Sequence, residues 1–172
     1  MKKVFFLIAA AVFMFGTKAV TAQNNSKNIV EIAASVDDFS TLVTALKAAE
    51  LVGALQGDGP FTVFAPVNSG FAKIDSNALN SLLQPENKEK LSGILTYHVV
   101  AGKLAAADVV KALEGGNGKA TLTTLNGATI TAVSKDGGIF LKDQNGNYSK
   151  IAKTDVMASN GVIHIIEDVV MP

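Results

Sequence analysis

Six residues, Phe61-Thr62-Val63-Phe64-Ala65-Pro66, constrain the fold more than any other stretch. Two aromatic and two β-branched side chains in this run suit a pleated, largely buried surface. Gly57-Asp58-Gly59-Pro60 punctuates the entry, and Pro66, which has no N–H to donate to a ladder, marks the exit. Helical spacing lies on both sides and a strand-rich half follows. The stretch therefore predicts a short inner strand around which helices pack.

The chain before this strand begins with a different kind of segment. Met1-Lys2-Lys3 is basic, Val4 to Gly16 is almost wholly apolar, and Val20-Thr21-Ala22 supplies short side chains before Gln23. That order of charge, apolar run and short residues predicts a secretory signal peptide over residues 1–22. Its apolar run falls short of the roughly 20 residues a bilayer span needs, so no stable membrane span is expected after cleavage. A leader of this style points to a bacterial cell, and the expected location is secreted or periplasmic. The chain has no Cys, which rules out a disulfide framework and a lipidated cysteine.

Charge narrows the partners. The formal net charge of the whole chain is 0, and removing Lys2, Lys3 and Lys18 with the leader leaves 0 − 3 = −3. Every basic residue is Lys, so a nucleic acid would find neither net positive charge nor a guanidinium fork, and none is expected as a partner. Lys142, Lys150 and Lys153 are interrupted by Asp143 and Asp155 and read as a solvated face.

Residues 23–27 are polar and are expected to be flexible. From Asn28 onwards the chain reads as one domain. Asn28 caps a short helix through Ser35, and Asp37 or Asp38 caps a longer one with Phe39, Leu42, Val43, Leu46 and Ala49 on one side and Gly53 at its end. After the central strand come a helical turn over 70–74, a helix capped by Ser76, and a helix opened by Pro85 with Leu91, Ile94 and Leu95 buried. Thr96 to Val100 is read as extended, and Ala105 to Leu113 as a small helix. Asn126-Gly127, between two alternating runs, predicts a hairpin whose two turn residues both take positive φ. Further turns at 135–138 and 145–147 separate more strands. Val162 to Ile166 is nearly continuous apolar and predicts a central strand, with Glu167 to Pro172 as its tail. Helices first and antiparallel strands second make an α+β fold.

Three blocks in fixed order carry a family likeness. They are Gly59-Pro60-Phe61-Thr62-Val63-Phe64-Ala65-Pro66-Val67-Asn68-Ser69-Gly70-Phe71, Leu95-Thr96-Tyr97-His98-Val99-Val100-Ala101-Gly102, and Asn160-Gly161-Val162-Ile163-His164-Ile165-Ile166-Glu167-Asp168-Val169-Val170-Met171-Pro172. Over residues 28–172 the chain resembles a fasciclin-like (FAS1) domain. One departure stands out: the family usually places Ala before the Phe of the first block, where this chain has Gly70. The resemblance implies a wedge-shaped β-sandwich of mostly antiparallel strands with a layer of short helices. It also implies an extracellular or periplasmic protein of adhesion, matrix contact or protein interaction, and it does not imply an enzyme. In animal members a segment before the last strand has been linked to integrin contact; it matches Asp155, Val156 and Met157 here. The Tyr97-His98 block has likewise been linked to adhesion. The resemblance thus nominates Asp155, Met157 and Tyr97 as partner contacts.

Read from the residues alone, Asp155 and Met157 face away from Val156 on an alternating strand, which leaves Val156 to anchor the core. Tyr97 packs its ring and keeps its hydroxyl wet. Asn68 retains a polar structural role. His98 is expected to be buried and bonded to the backbone at a helix-to-strand turn, whereas His164 could face either side. No metal or cofactor is expected, because no cluster of ligands stands at metal-binding spacing. No serine lies in a nucleophile elbow, and Gly115-Gly116-Asn117-Gly118 lacks the lysine of a phosphate loop. The reading is a secreted, non-catalytic domain that contacts a cell-surface or matrix protein or polysaccharide; its oligomeric state is left open. The alternative is a carrier of a small apolar ligand, a lipid or a pigment, in an apolar cavity of about 300 Å³ or more.

Overall fold

The computed structural model describes residues 26–172, so the expected leader at 1–22 and most of the 23–27 arm lie outside the described residues. A helical first half runs through α1 (Ile29–Ala34), α2 (Ser40–Ala48) and α3 (Val52–Gln56) into β1 (Phe61–Pro66). Then come α4 (Asn68–Phe71), α5 (Ser76–Leu82), α6 (Lys88–Tyr97), β2 (Val99–Ala101) and α7 (Ala106–Gly115). The second half is β3 (Lys119–Thr123), β4 (Thr129–Lys135), β5 (Gly138–Lys142), β6 (Tyr148–Ala158) and β7 (Gly161–Ile166).

The strands form one sheet in the order β2-β1-β7-β6-β5-β4-β3. All neighbours are antiparallel except β1 and β7, which run parallel with Phe61 beside Gly161 and Pro66 beside Ile166. The two edges of the sheet meet: Val100 bridges Thr124, and the Leu125 N–H donates to Val99 O at 2.8 Å. The sheet therefore curls onto itself, and its two faces bury two cores.

Alternation along β1 and β7 divides their side chains between those cores. Val63, Ala65 and Ile163 join Phe39, Leu42, Leu46, Leu91 and Leu95 beneath the helices. Phe64 and Ile166 point the other way, into the curl, where they meet Tyr97, Ile130, Ala132, Leu141 and Val170. Val109 and Leu113 of α7 close that second core. Because β1 and β7 are buried on both sides, their sequences are apolar runs instead of alternations.

Local chemistry moves several expected boundaries. α2 ends at Ala48 with Ala49 as its C-cap, not near Gly53: Glu50 takes φ 56°, the Leu51 N–H reaches Leu46 O and the Glu50 N–H reaches Lys47 O, while Gly53 lies inside α3. Asp75, not Ser76, caps α5, accepting the N–H groups of Asn77 and Ala78. A 3-10 turn at Asp37–Phe39 precedes α2 where a direct cap was expected. Thr96 and Tyr97 remain helical, because α6 continues until His98. At Asn126-Gly127 only Gly127 has positive φ, and the Asn126 carboxamide braces a longer loop by accepting from Thr124 Oγ1 and the Ala128 N–H. The two-residue turn with both φ positive occurs instead at Asp136-Gly137. Residues 167–172 carry no strand.

Gly70, the visible departure from the family pattern, is required by packing. A Cβ there would lie 2.6 Å from Glu167 O and 3.2 Å from Asp168 Cα. The helical turn is thus pressed against the exit of β7.

Candidate functional site

The end of the sheet where β1 and β7 begin and β6 ends carries two of the three sequence-nominated contacts, Asp155 and Met157. β6 leaves its ladder with β7 between Lys153 and Val156, and the register resumes at Val156 opposite Ile163 and Met157 opposite Val162. Asp155 sits in that irregularity with φ 58°, a left-handed conformation that Asp tolerates better than most residues. The Asp155 carboxylate is exposed, yet it accepts the Ala106 N–H at 2.8 Å. It thereby places a negative charge on the positive end of α7. Asp155 consequently serves α7 first and is only partly available to a partner. Val156 is half-buried against the helical core, and Met157 is half-buried.

Beside this bulge lies an open cleft of about 360 Å³ lined by Asp58, Gly59, Pro60, Lys103, Ala158, Ser159, Asn160 and Gly161. The cleft is built by glycines and one asparagine. A Cβ at Gly59 would lie 2.0 Å from Asn160 O, and one at Gly161 would lie 2.0 Å from Phe61 O, so both positions must stay bare for the turns to approach. The Asn160 side chain donates to Leu55 O at 2.7 Å and Gly57 O at 3.0 Å, and accepts the Ile29 N–H at 3.0 Å. No site motif in the sequence marks this clamp on α1, α3 and the β6–β7 turn. Its signal was the Asn-Gly pair leading into the last strand. Lys103, Asp58 and Ser159 are exposed on the rim.

Tyr97 does not belong to this surface. It is fully buried, and its hydroxyl donates to Thr129 O at 2.9 Å, so the expectation of a wet hydroxyl and a partner contact is corrected. Tyr97 lies on the last turn of α6, where it points into the curled sheet. Burial, helped by the Asp143 carboxylate, raises the pKa of its phenol.

Both histidines are inside. His98 Nδ1 lies 2.8 Å from Ile94 O, and the Val170 N–H approaches Nε2 at 3.2 Å. That pairing requires the neutral tautomer with Nδ1 protonated. Burial lowers its pKa to about 4, with the Ile94 carbonyl opposing the shift. His164 stacks on Phe64 with ring centroids 5.6 Å apart, and its Nε2 lies 2.7 Å from Leu104 O. Neither ring is paired with a hydroxyl or a carboxylate, so no histidine-based nucleophile arrangement is assembled among the described residues. No group of His, Asp and Glu there stands close enough to hold a metal ion.

Asn68 holds the N-terminus of α2 from a distance. Its Oδ1 accepts the Thr41 N–H at 3.0 Å and its Nδ2 donates to Asp37 O at 2.9 Å and Ser40 Oγ at 3.0 Å. The apolar space beside His164, lined by Ala106, Val109, Ile139, Ile151 and Thr154, has no room for a water molecule. The cleft of about 360 Å³ is open and lined mainly by polar residues and backbone, which does not suit a lipid or pigment.

Comparison with known proteins agrees with this architecture. The fasciclin-domain family profile matches residues 37–172. Protein sll1483 of Synechocystis is 47% identical over 151 residues, covering 88% of this chain and 77% of that protein. The transforming growth factor-beta-induced protein ig-h3 of Sus scrofa is 34% identical over 152 residues, 88% of this chain and 20% of its own length. A FAS1 domain pair from the insect cell adhesion molecule fasciclin I superposes with a TM-score of 0.75 at 20% identity, over 86% of this chain and 52% of that one. With three sequence blocks, a curled seven-stranded sheet and these relatives in agreement, the chain belongs to the fasciclin (FAS1) domain family.

Proposed function

We propose that this chain is an exported, non-catalytic interaction domain, secreted or periplasmic after loss of residues 1–22, that contacts a cell-surface or matrix protein or polysaccharide. The observation that carries this reading is the open cleft at the end of the sheet. Its rim combines Asp58, Lys103 and Ser159 with backbone left bare by Gly59 and Gly161. A polar, accessible rim suits recognition of another macromolecule, and the fold shared with one insect cell adhesion molecule, fasciclin I, is in keeping with that class. The neighbouring Asp155–Met157 segment would extend the contact, with Asp155 also anchoring α7.

Binding isotherms test the proposal. The protein, expressed from its full sequence and collected after export, is titrated with surface-protein and polysaccharide fractions of its own cells. Saturable binding that is lost in a folded Lys103→Glu/Ser159→Lys variant supports the cleft as the contact. Saturable binding that survives the changes keeps the function and moves its site. Absence of saturable binding to both fractions overturns the reading.

A further inference from the structure

The side of β3–β6 turned away from the second core carries a second surface with its own chemistry. Ala120, Ile130, Ala132, Leu141 and Ser149 face inward and are buried. The alternate positions face out, and the register aligns them in rows: Thr121 beside Thr131, Thr131 beside Lys142, and Lys142 beside Tyr148. A parallel row sets Lys119 beside Val133, Val133 beside Phe140, and Phe140 beside Lys150. Lys119, Thr121, Thr131, Val133, Lys142 and Tyr148 line a groove of about 290 Å³.

Four lysines, Lys119, Lys135, Lys142 and Lys150, stand one on each of four neighbouring strands. At a strand spacing of about 4.8 Å they span about 14 Å across the sheet. None is in an ion pair; the pairs among the described residues are Lys73–Asp168 and Lys88–Glu50. The acids that interrupt these lysines in sequence do not neutralise the face. Asp143 is turned inside and bound by Asn147 and the Met171 N–H, and the Asp155 carboxylate is engaged by the Ala106 N–H at the start of α7. Asp136, in the turn, and Glu167, whose N–H donates to Lys150 O, stand at its margins. Tyr148 is 44% exposed, and the ammonium groups of Lys135 and Lys142 lie 5.2 and 5.7 Å from its ring centroid. The ring thus gathers two cations at one end of the groove. The hydroxyls of Thr121 and Thr131 make no hydrogen bond among the described residues.

We infer that this face binds an anionic polysaccharide. The inference rests on the interaction reading above and gives it a partner chemistry at a site distinct from the cleft. Unpaired cations one strand apart complement carboxylates repeated along a chain, and unengaged threonine hydroxyls complement sugar hydroxyls. A membrane is a poorer fit, because Val133 and Phe140 are half-buried and no apolar side chain besides Tyr148 stands proud of the face. Nucleic acid is a poorer fit because the surface offers no arginine fork and its exposed ring is already occupied by lysines.

The test uses alginate, a polyuronate, with dextran as the uncharged control and duplex DNA as a second polyanion, measured by isothermal titration with the full protein. The expected result is binding to alginate and not dextran, weaker for DNA, and weakened about tenfold between 50 and 300 mM salt. Lys119→Glu/Lys142→Glu should weaken it at least tenfold and Tyr148→Leu by less, whereas Lys90→Glu, exposed on α6 and outside both the groove and the cleft, leaves it unchanged. These side chains face outward, so circular dichroism should show intact folds; Lys119→Gln/Lys142→Gln gives the same direction without added charge. Equal binding of dextran, equal or tighter binding of DNA, indifference to the lysine changes, or no alginate binding overturns the inference. If alginate fails while saturable binding to surface fractions persists, only the lysine face falls; if both fail, the interaction reading falls with it.

Discussion

His98 is held by two backbone groups at once, and that geometry makes the fold sensitive to acid. In the unfolded chain a histidine titrates near 6.5, and in the fold burial lowers His98 to about 4. Between these values the unfolded state holds more protons, so stability rises with pH through this window and falls on acidification, by up to about 3 kcal/mol. Urea unfolding at pH 7 and pH 4.5 should show the advantage of the natural protein over His98→Leu shrinking by about 2–3 kcal/mol in acid; a constant gap would assign the acid sensitivity elsewhere. Asn68 and Gly70 offer a second comparison. Asn68→Ala removes three hydrogen bonds at the start of α2 and should cost about 2 kcal/mol. Gly70→Ala installs the residue more usual in the family, yet should cost about 1–3 kcal/mol because its Cβ meets the backbone at Glu167. A stabilised Gly70→Ala in a thermal melt would mean that the exit of β7 moves aside freely.

At the scale of elements, the bulge in β6 and the start of α7 are one unit joined by Asp155. Asp155→Asn keeps an acceptor and tolerates positive φ, whereas Asp155→Ala loses both, so Ala should be worse than Asn by about 1 kcal/mol in chemical denaturation. Equal losses would show that the charge alone matters. Much of this architecture is legible in sequence: Phe61 to Pro66 and Val162 to Ile166 announce central strands because burial on both faces demands uninterrupted apolar side chains. Asp155 is different. Its side chain meets a residue 49 positions away, a distance that local periodicity cannot encode. Tyr97 misleads for the opposite reason. Its β-prone neighbours Val99 and Val100 suggest that the strand begins early, but packing of Tyr97 against Ile130 and its neighbours keeps α6 wound for another turn. The lysine face is equally hidden, because four residues from four strands become neighbours only through register.

For the whole molecule, closure of the sheet at Val100 and Thr124 decides how the second core is sealed. Thr124 is buried and its Oγ1 bonds Asn126 and Ala128, so Thr124→Val strips the seam of its polar ties while preserving shape. Amide exchange should quicken at Leu125 and Gly127 and stay slow along β1 and β7. Equal acceleration throughout would mean that the two cores open as one cooperative unit. The pairing of β1 with β7 also has a temporal meaning. The partners lie 100 residues apart, from Phe61 to Gly161. During synthesis, β1 therefore emerges long before the strand that completes it, and the central pairing must wait until residues 161–166 have been made. A ribosome-bound intermediate ending before residue 161 has no native neighbour for that side of β1, so the edge that β7 will cover stays open until that strand arrives.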